Sequence, residues 1–190
     1  MSSSEYRFTD GNLLVLYAVH RGKAAAAGVL PDYVQERVKL ALETYGMIMK
    51  SRPDRHKTMV MVVADEGGPA EIVKQELVKG GVRPDIIAVD TQSKSIAQTL
   101  NYLYDMVSKK PNPPFIYFIA SVWLHETFNA TVISIMKDIR VQFYGALDHR
   151  PVHEVEAEKA TDAPKKGKEY YKRKITNKAV DTVLNIIFPG

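Results

Sequence analysis

The stretch Asn12–Val19, NLLVLYAV, decides the fold. It is an unbroken apolar run rich in branched side chains, the pattern of a strand covered on both faces rather than one that faces water. Working outward, four comparable runs recur: Thr58–Ala64 (TMVMVVA), Pro84–Val89 (PDIIAV), Pro114–Ala120 (PFIYFIA) and Ile139–Gly145 (IRVQFYG). Helical patterns separate them. Asp32 and Gln35 have the spacing of a capping box, ahead of an apolar stripe of Tyr33, Val34, Val38, Ala41, Leu42, Tyr45 and Met49. Glu36 and Arg37 on that helix read as surface or ion-pair residues. Pro69 fits the first position of a second helix, which Gly80-Gly81 terminates. Ser93 is placed to cap a third helix along Ile96, Ala97, Leu100, Leu103, Tyr104 and Val107, and Leu124–Lys137 reads as a fourth.

Strands buried on both faces, alternating with amphipathic helices, predict an α/β protein: a Rossmann-like three-layer sandwich with a mostly parallel sheet of about five strands. A closed eight-fold barrel needs ~250 residues and eight strands. Residues 1–150 are assigned to the Rossmann-like domain, 151–175 to a charged polar connection, and 176–190 to a C-terminal helix packing on the same domain.

Composition narrows the function. A 45% hydrophobic and 25% charged chain is not disordered as a whole. The absence of Cys excludes disulfides, thiol catalysis and iron–sulfur clusters. No apolar run approaches ~18 residues and the first twelve residues are polar, so no membrane span is expected and the cytosol is the expected compartment. The net charge of +4 hides an asymmetry. Pro164–Lys178 holds seven Lys/Arg and one Glu, a local +6, while His153–Asp162 is acidic. This pair of runs reads as an exposed, solvated connection. Nucleic acid binding through the basic run, with Tyr170 and Tyr171 as stacking rings, is the less favoured reading.

Chemistry-bearing residues fall mainly in the loops after the strands. In an open parallel sheet those loops share one edge, and ligands bind there where strand order reverses. The loops bring His20, Arg21 and Lys23; Asp65, Glu66, Gly67 and Gly68; Asp90 and Ser93; Ser121, Trp123 and His125; and Asp148, His149, Arg150 and His153. Four of the five histidines are among them. Gly67 and Gly68 at a helix N-terminus offer backbone N–H groups to an anion, and Glu71 stands in the next turn. Ser93, Ser121, Arg21, Asp65, Glu66 and His149 supply polar contacts, and Trp123 a ring for stacking. His125 and His20 are the candidate general acid/base groups by side-chain type. No GxGxxG, P-loop or GxSxG pattern is present. His149 and His153 are four apart, but Pro151 between them argues against a helical metal site, and none is assigned.

Three segments carry a family resemblance: Arg37–Tyr45 (RVKLALETY), Val60–Val82 (VMVVADEGGPAEIVKQELVKGGV) and Ile86–Tyr102 (IIAVDTQSKSIAQTLNY). Their order and content over residues 12–147 resemble the YdcF/SanA/ElyC-like family. That resemblance implies a Rossmann-like fold with a pocket at the strand ends and a nucleotide-like small molecule as ligand. Within it Gly67, Gly68, Glu71 and Ser93 match family motif positions. Asp65-Glu66 stand where small residues are usual, and Thr127 or Asn129 where an arginine is expected. The expected function is binding of a nucleotide-like or other anionic small molecule, with a nucleotide or S-adenosylmethionine-like compound as the candidate cofactor. Alternatives are a non-catalytic scaffold and a His-dependent phosphoester hydrolase.

Overall fold

The computed structural model describes residues 11–20, 29–65 and 68–162. The C-terminal helix assigned to 176–190 and the basic run 164–178 lie outside the described residues, as do Arg21, Glu66 and Gly67. The chain alternates strictly: β1 (Asn12–Tyr17), α1 (Asp32–Ser51), β2 (Thr58–Val63), α2 (Gly68–Lys79), β3 (Ile87–Asp90), α3 (Ile96–Val107), β4 (Phe115–Ser121), α4 (His125–Ile135), β5 (Val141–Ala146) and α5 (Val152–Asp162). The sheet order is β3-β2-β1-β4-β5 and every pairing is parallel. The chain builds outward from β1 to β3, then returns through α3 to lay β4 on the other side of β1. Strand order therefore reverses between β1 and β4.

Both sheet faces are apolar because successive side chains alternate between them. Leu13, Val15 and Tyr17 with Met59, Met61, Ile116 and Phe118 pack under α3 and α4. Leu14 and Leu16 with Val60, Val62 and Ile119 pack under α1 and α2. Each such fully buried side chain stabilises the fold by ~1.5–3 kcal/mol, so neither face can be left bare. Among the described residues, no helix is long and apolar enough to cross a membrane.

The end of α2 follows from its glycines. Gly81 has φ +95°, a backbone position that side chains with a Cβ rarely adopt. It lets Val82 N–H donate to Leu77 O and Gly81 N–H to Val78 O, a Schellman closure. A Cβ on Gly80 would come within 2.4 Å of Leu42, so this glycine also lets α2 lie close to α1.

Three local expectations are corrected. Asp32 does not cap α1: Pro31 holds that place, Asp32 is the first helical residue, and Gln35 Nε2 donates to Leu30 O at 2.7 Å instead of closing a box. Ser95, not Ser93, caps α3, its Oγ accepting from Gln98 N. Residues 152–162, read as part of a polar connection, form α5, because Pro151 sits just ahead of the helix and its carbonyl accepts from Glu154 and Val155.

Candidate functional site at the strand ends

The carboxyl ends of the strands carry two polar clusters, one on each side of β1. At the ends of β1, β4 and β5 the centre is Arg37, whose side chain is 0% exposed. Of the two places expected for it, surface or ion pair, it takes the ion pair, beside Asp148 and Glu158, and is buried because position 37 shares the face of α1 that carries Val34, Val38 and Ala41. Arg37 Nη1 donates to Tyr17 O and Val19 O, both at 3.1 Å, at the end of β1. Its Nε and Nη2 donate to Ser121 Oγ at 3.0 and 2.8 Å, at the end of β4. One guanidinium thus ties together the two strands between which sheet order reverses.

Ser121 passes the connection on, its hydroxyl donating to Asp148 Oδ2 at 2.7 Å. With one donor and two acceptor sites, this hydroxyl is fully used. Trp123 Nε1 donates to the same oxygen at 2.8 Å. Arg150 grips Asp148 with two parallel bonds, Nε to Oδ1 at 2.9 Å and Nη2 to Oδ2 at 2.7 Å. The Arg150 guanidinium lies 3.6 Å from the centre of the Tyr33 ring. Its Nη1 stands 2.6 Å from Glu158 Oε2 on α5. That contact is a close ion pair. Glu158 Oε1 is 3.9 Å from Arg37 Nη2. Gly145 favours this close approach: a Cβ there would sit 3.0 Å from the Val122 backbone, so any other residue would push the Ser121–Trp123 turn a few tenths of an ångström off β5.

Burial raises the Asp148 carboxyl, but hydrogen bonds from Arg150, Trp123 and Ser121 outweigh it and hold the group far below the usual carboxylate range. Burial lowers Arg150, and the Asp148 and Glu158 carboxylates more than reverse this. Arg37 is lowered by burial, with Glu158 opposing; a guanidinium remains charged regardless. Tyr33 is pushed up to about 12 by burial. Two arginines and two carboxylates make the cluster neutral.

The second cluster lies at the ends of β1, β2 and β3. His20 is 4% exposed. Its backbone N–H donates to Asp65 Oδ2 at 3.3 Å, and its Nδ1 lies 3.4 Å from Ala18 O. Its Nε2 has no partner among the described residues. Asp65, half-buried, pairs through Oδ1 with Lys94 at 3.2 Å. Asp90 Oδ1 accepts from the backbone of Gln92 and Ser93, which folds the turn after β3 and buries Ser93. Gly68, three residues beyond Asp65, opens α2.

The sequence-predicted residues therefore divide. Ser121 and Trp123 join the neutral cluster and turn their polar atoms toward Asp148. Asp65, Gly68, Ser93 and His20 belong to the second cluster. Glu71 and His149 are exposed. His125 is exposed at the start of α4, packed 5.2 Å from the Phe143 ring and 3.1 Å from Asn129 Nδ2. Among the described residues, no three His, Asp or Glu side chains stand close enough to share a metal ion. Tyr33, Arg37, Asp148, Arg150 and Glu158 were not predicted as one group. Asp148 and Arg150 were legible as polar residues of the loop after β5, and Arg37 as a charge in register with an apolar stripe; Glu158 fell in the stretch read as a polar connection. No family model, no curated protein and no solved structure matches this chain.

Proposed function

We propose that the chain binds a small anionic, nucleotide-like molecule in the crevice at the carboxyl ends of β1, β2 and β3, with His20 as the group that meets it. The observation that carries this reading is the Nε2 of a nearly inaccessible imidazole, which has no partner among the described residues. A buried polar atom without a partner costs about 1–3 kcal/mol, and a ligand oxygen or nitrogen removes that cost. Its position supports the reading, since parallel sheets receive ligands at this edge, and the start of α2 at Gly68 adds the partial positive charge of a helix N-terminus. The likeness of residues 12–147 to the YdcF/SanA/ElyC-like family points to the same class of ligand. Of the two histidines considered as acid/base groups, His20 stands in the crevice and His125 lies outside it, on α4.

Thermal shift against a panel of nucleotides, inorganic phosphate and S-adenosylmethionine tests this. At least one compound raises Tm in the wild-type protein, and His20→Phe abolishes that shift while folding as well as wild type. A flat response across the panel, or an undiminished shift in His20→Phe, overturns it.

A further inference from the structure

The point where sheet order reverses is already filled by a side chain from α5. Glu158 is 5% exposed, while every other α5 residue from Val152 to Ala160 is exposed or half-buried. Val152, the largest apolar group at its start, is 76% exposed. The helix is thus seated mainly by one carboxylate, placed against two guanidinium groups.

Those guanidinium groups are themselves immovable. Arg37 is fixed by two β1 carbonyls and Ser121, and Arg150 by Asp148 and the Tyr33 ring. The nitrogens nearest Glu158 are Arg150 Nη1, at 2.6 Å, and Arg37 Nη2, at 3.9 Å, the latter also donating to Ser121 Oγ. Glu158 meets them unequally: Oε2 is close to Arg150, while Oε1 is beyond hydrogen-bond reach of Arg37. Without Glu158 the remaining two arginines and Asp148 carry one net positive charge.

We propose that Glu158 is a resident stand-in for the anionic group of a ligand, and that a phosphate-bearing molecule entering between the ends of β1 and β4 takes its place between Arg150 and Arg37 and lifts α5 away. This site lies on the other side of β1 from the His20 crevice and goes beyond the reading given to that crevice. The phosphate oxygens replace the Glu158 oxygens at the same two nitrogens, so no buried charge is left unpaired. Because the free protein keeps the site filled, its apparent affinity is lower than its intrinsic affinity by the fraction of molecules with α5 open.

Hydrogen exchange of the α5 amides, read on the full chain, decides the matter. Titrating inorganic phosphate into the wild-type protein speeds α5 exchange while leaving the α1 amides protected. Glu158→Gln speeds α5 exchange without any phosphate and lowers the phosphate concentration for half-saturation by about tenfold, because the competing charge is gone. Acetate is the second probe: α5 release by acetate and not phosphate assigns the site to carboxylates and overturns the phosphate assignment. Should Glu158→Gln fail to fold, the wild-type titration still answers. Unchanged α5 exchange at saturating phosphate and acetate, with nucleotide-induced stabilisation retained, sinks the displacement alone. Loss of any ligand response in wild type and variant alike sinks the crevice reading with it.

Discussion

At the ends of β1, β4 and β5 each buried charge faces an opposite charge, whereas at the ends of β1, β2 and β3 a buried imidazole keeps one nitrogen without a partner among the described residues. The two clusters share β1 and lie on one edge of one sheet. The first has Arg37, Ser121, Asp148 and Arg150 locked in mutual hydrogen bonds, so its polar groups are committed to holding β1 and β4 together. The second has a half-buried Asp65–Lys94 pair and His20, held on one side only. The difference shows that polar residues cluster at a strand edge in two ways: in one a carboxylate of the chain itself, Glu158, supplies the last countercharge, and in the other a buried nitrogen has no partner among the described residues.

Several substitutions break or sharpen this contrast. The largest effect is expected from Arg37→Met, which leaves Asp148, Glu158 and two strand carbonyls facing an apolar side chain. Loss of one partner of a buried ionic group typically costs about 3–5 kcal/mol. For a chain of this length that lowers Tm by roughly 10 °C. A loss under about 1 kcal/mol in urea denaturation would show the first cluster to be dispensable and erase the distinction.

Next comes acid sensitivity. The folded-state pKa of Asp148 lies below its ordinary value of 3.8, so the carboxylate stabilises the fold above that pH and loses its contribution as pH falls through the folded value. Wild-type stability therefore drops steeply below about pH 4, and Asp148→Asn, less stable at neutral pH, shows a shallower acid limb. Parallel acid limbs in the two proteins would contradict the assignment. The second cluster should respond far less. Lys94→Ala removes a pair that is 3.2 Å long but partly solvated, which is expected to cost less than about 1 kcal/mol. His20→Phe is expected to leave Tm nearly unchanged, since the imidazole leaves a polar atom unsatisfied; a marked destabilisation would make His20 a structural residue.

The fold was largely legible because burial on both faces prints a run of apolar residues. Asn12–Val19 contains β1 with two residues to spare, and Thr58–Ala64 contains β2 with one. Pro84–Val89 was shifted, since Pro84–Ile86 forms a 3₁₀ turn and β3 starts at Ile87. The strand-end loops were also legible, as polar breaks after apolar runs. Their internal pairing was not. Ser121 and Trp123 were recognised as site residues, yet nothing in their local sequence points to Asp148, 27 and 25 positions away. The acidic run around Glu158 resembled a solvated linker because helix α5 has no apolar stripe; among its described side chains the buried one is Glu158, paired with Arg150 and Arg37.

Sequence alone determined the number of strands, their burial on both faces, and the sharing of one edge by the loops that follow them, because hydrophobic periodicity is a local property of the chain. Only the tertiary structure decided which charges meet. Arg37 and Ser121 are 84 residues apart and touch because β4 returns to the far side of β1, and Glu158 reaches the same place because α5 follows β5 across that edge. Ion pairs and hydrogen bonds act only at contact distance, so they register the path of the chain through space rather than the order of its residues.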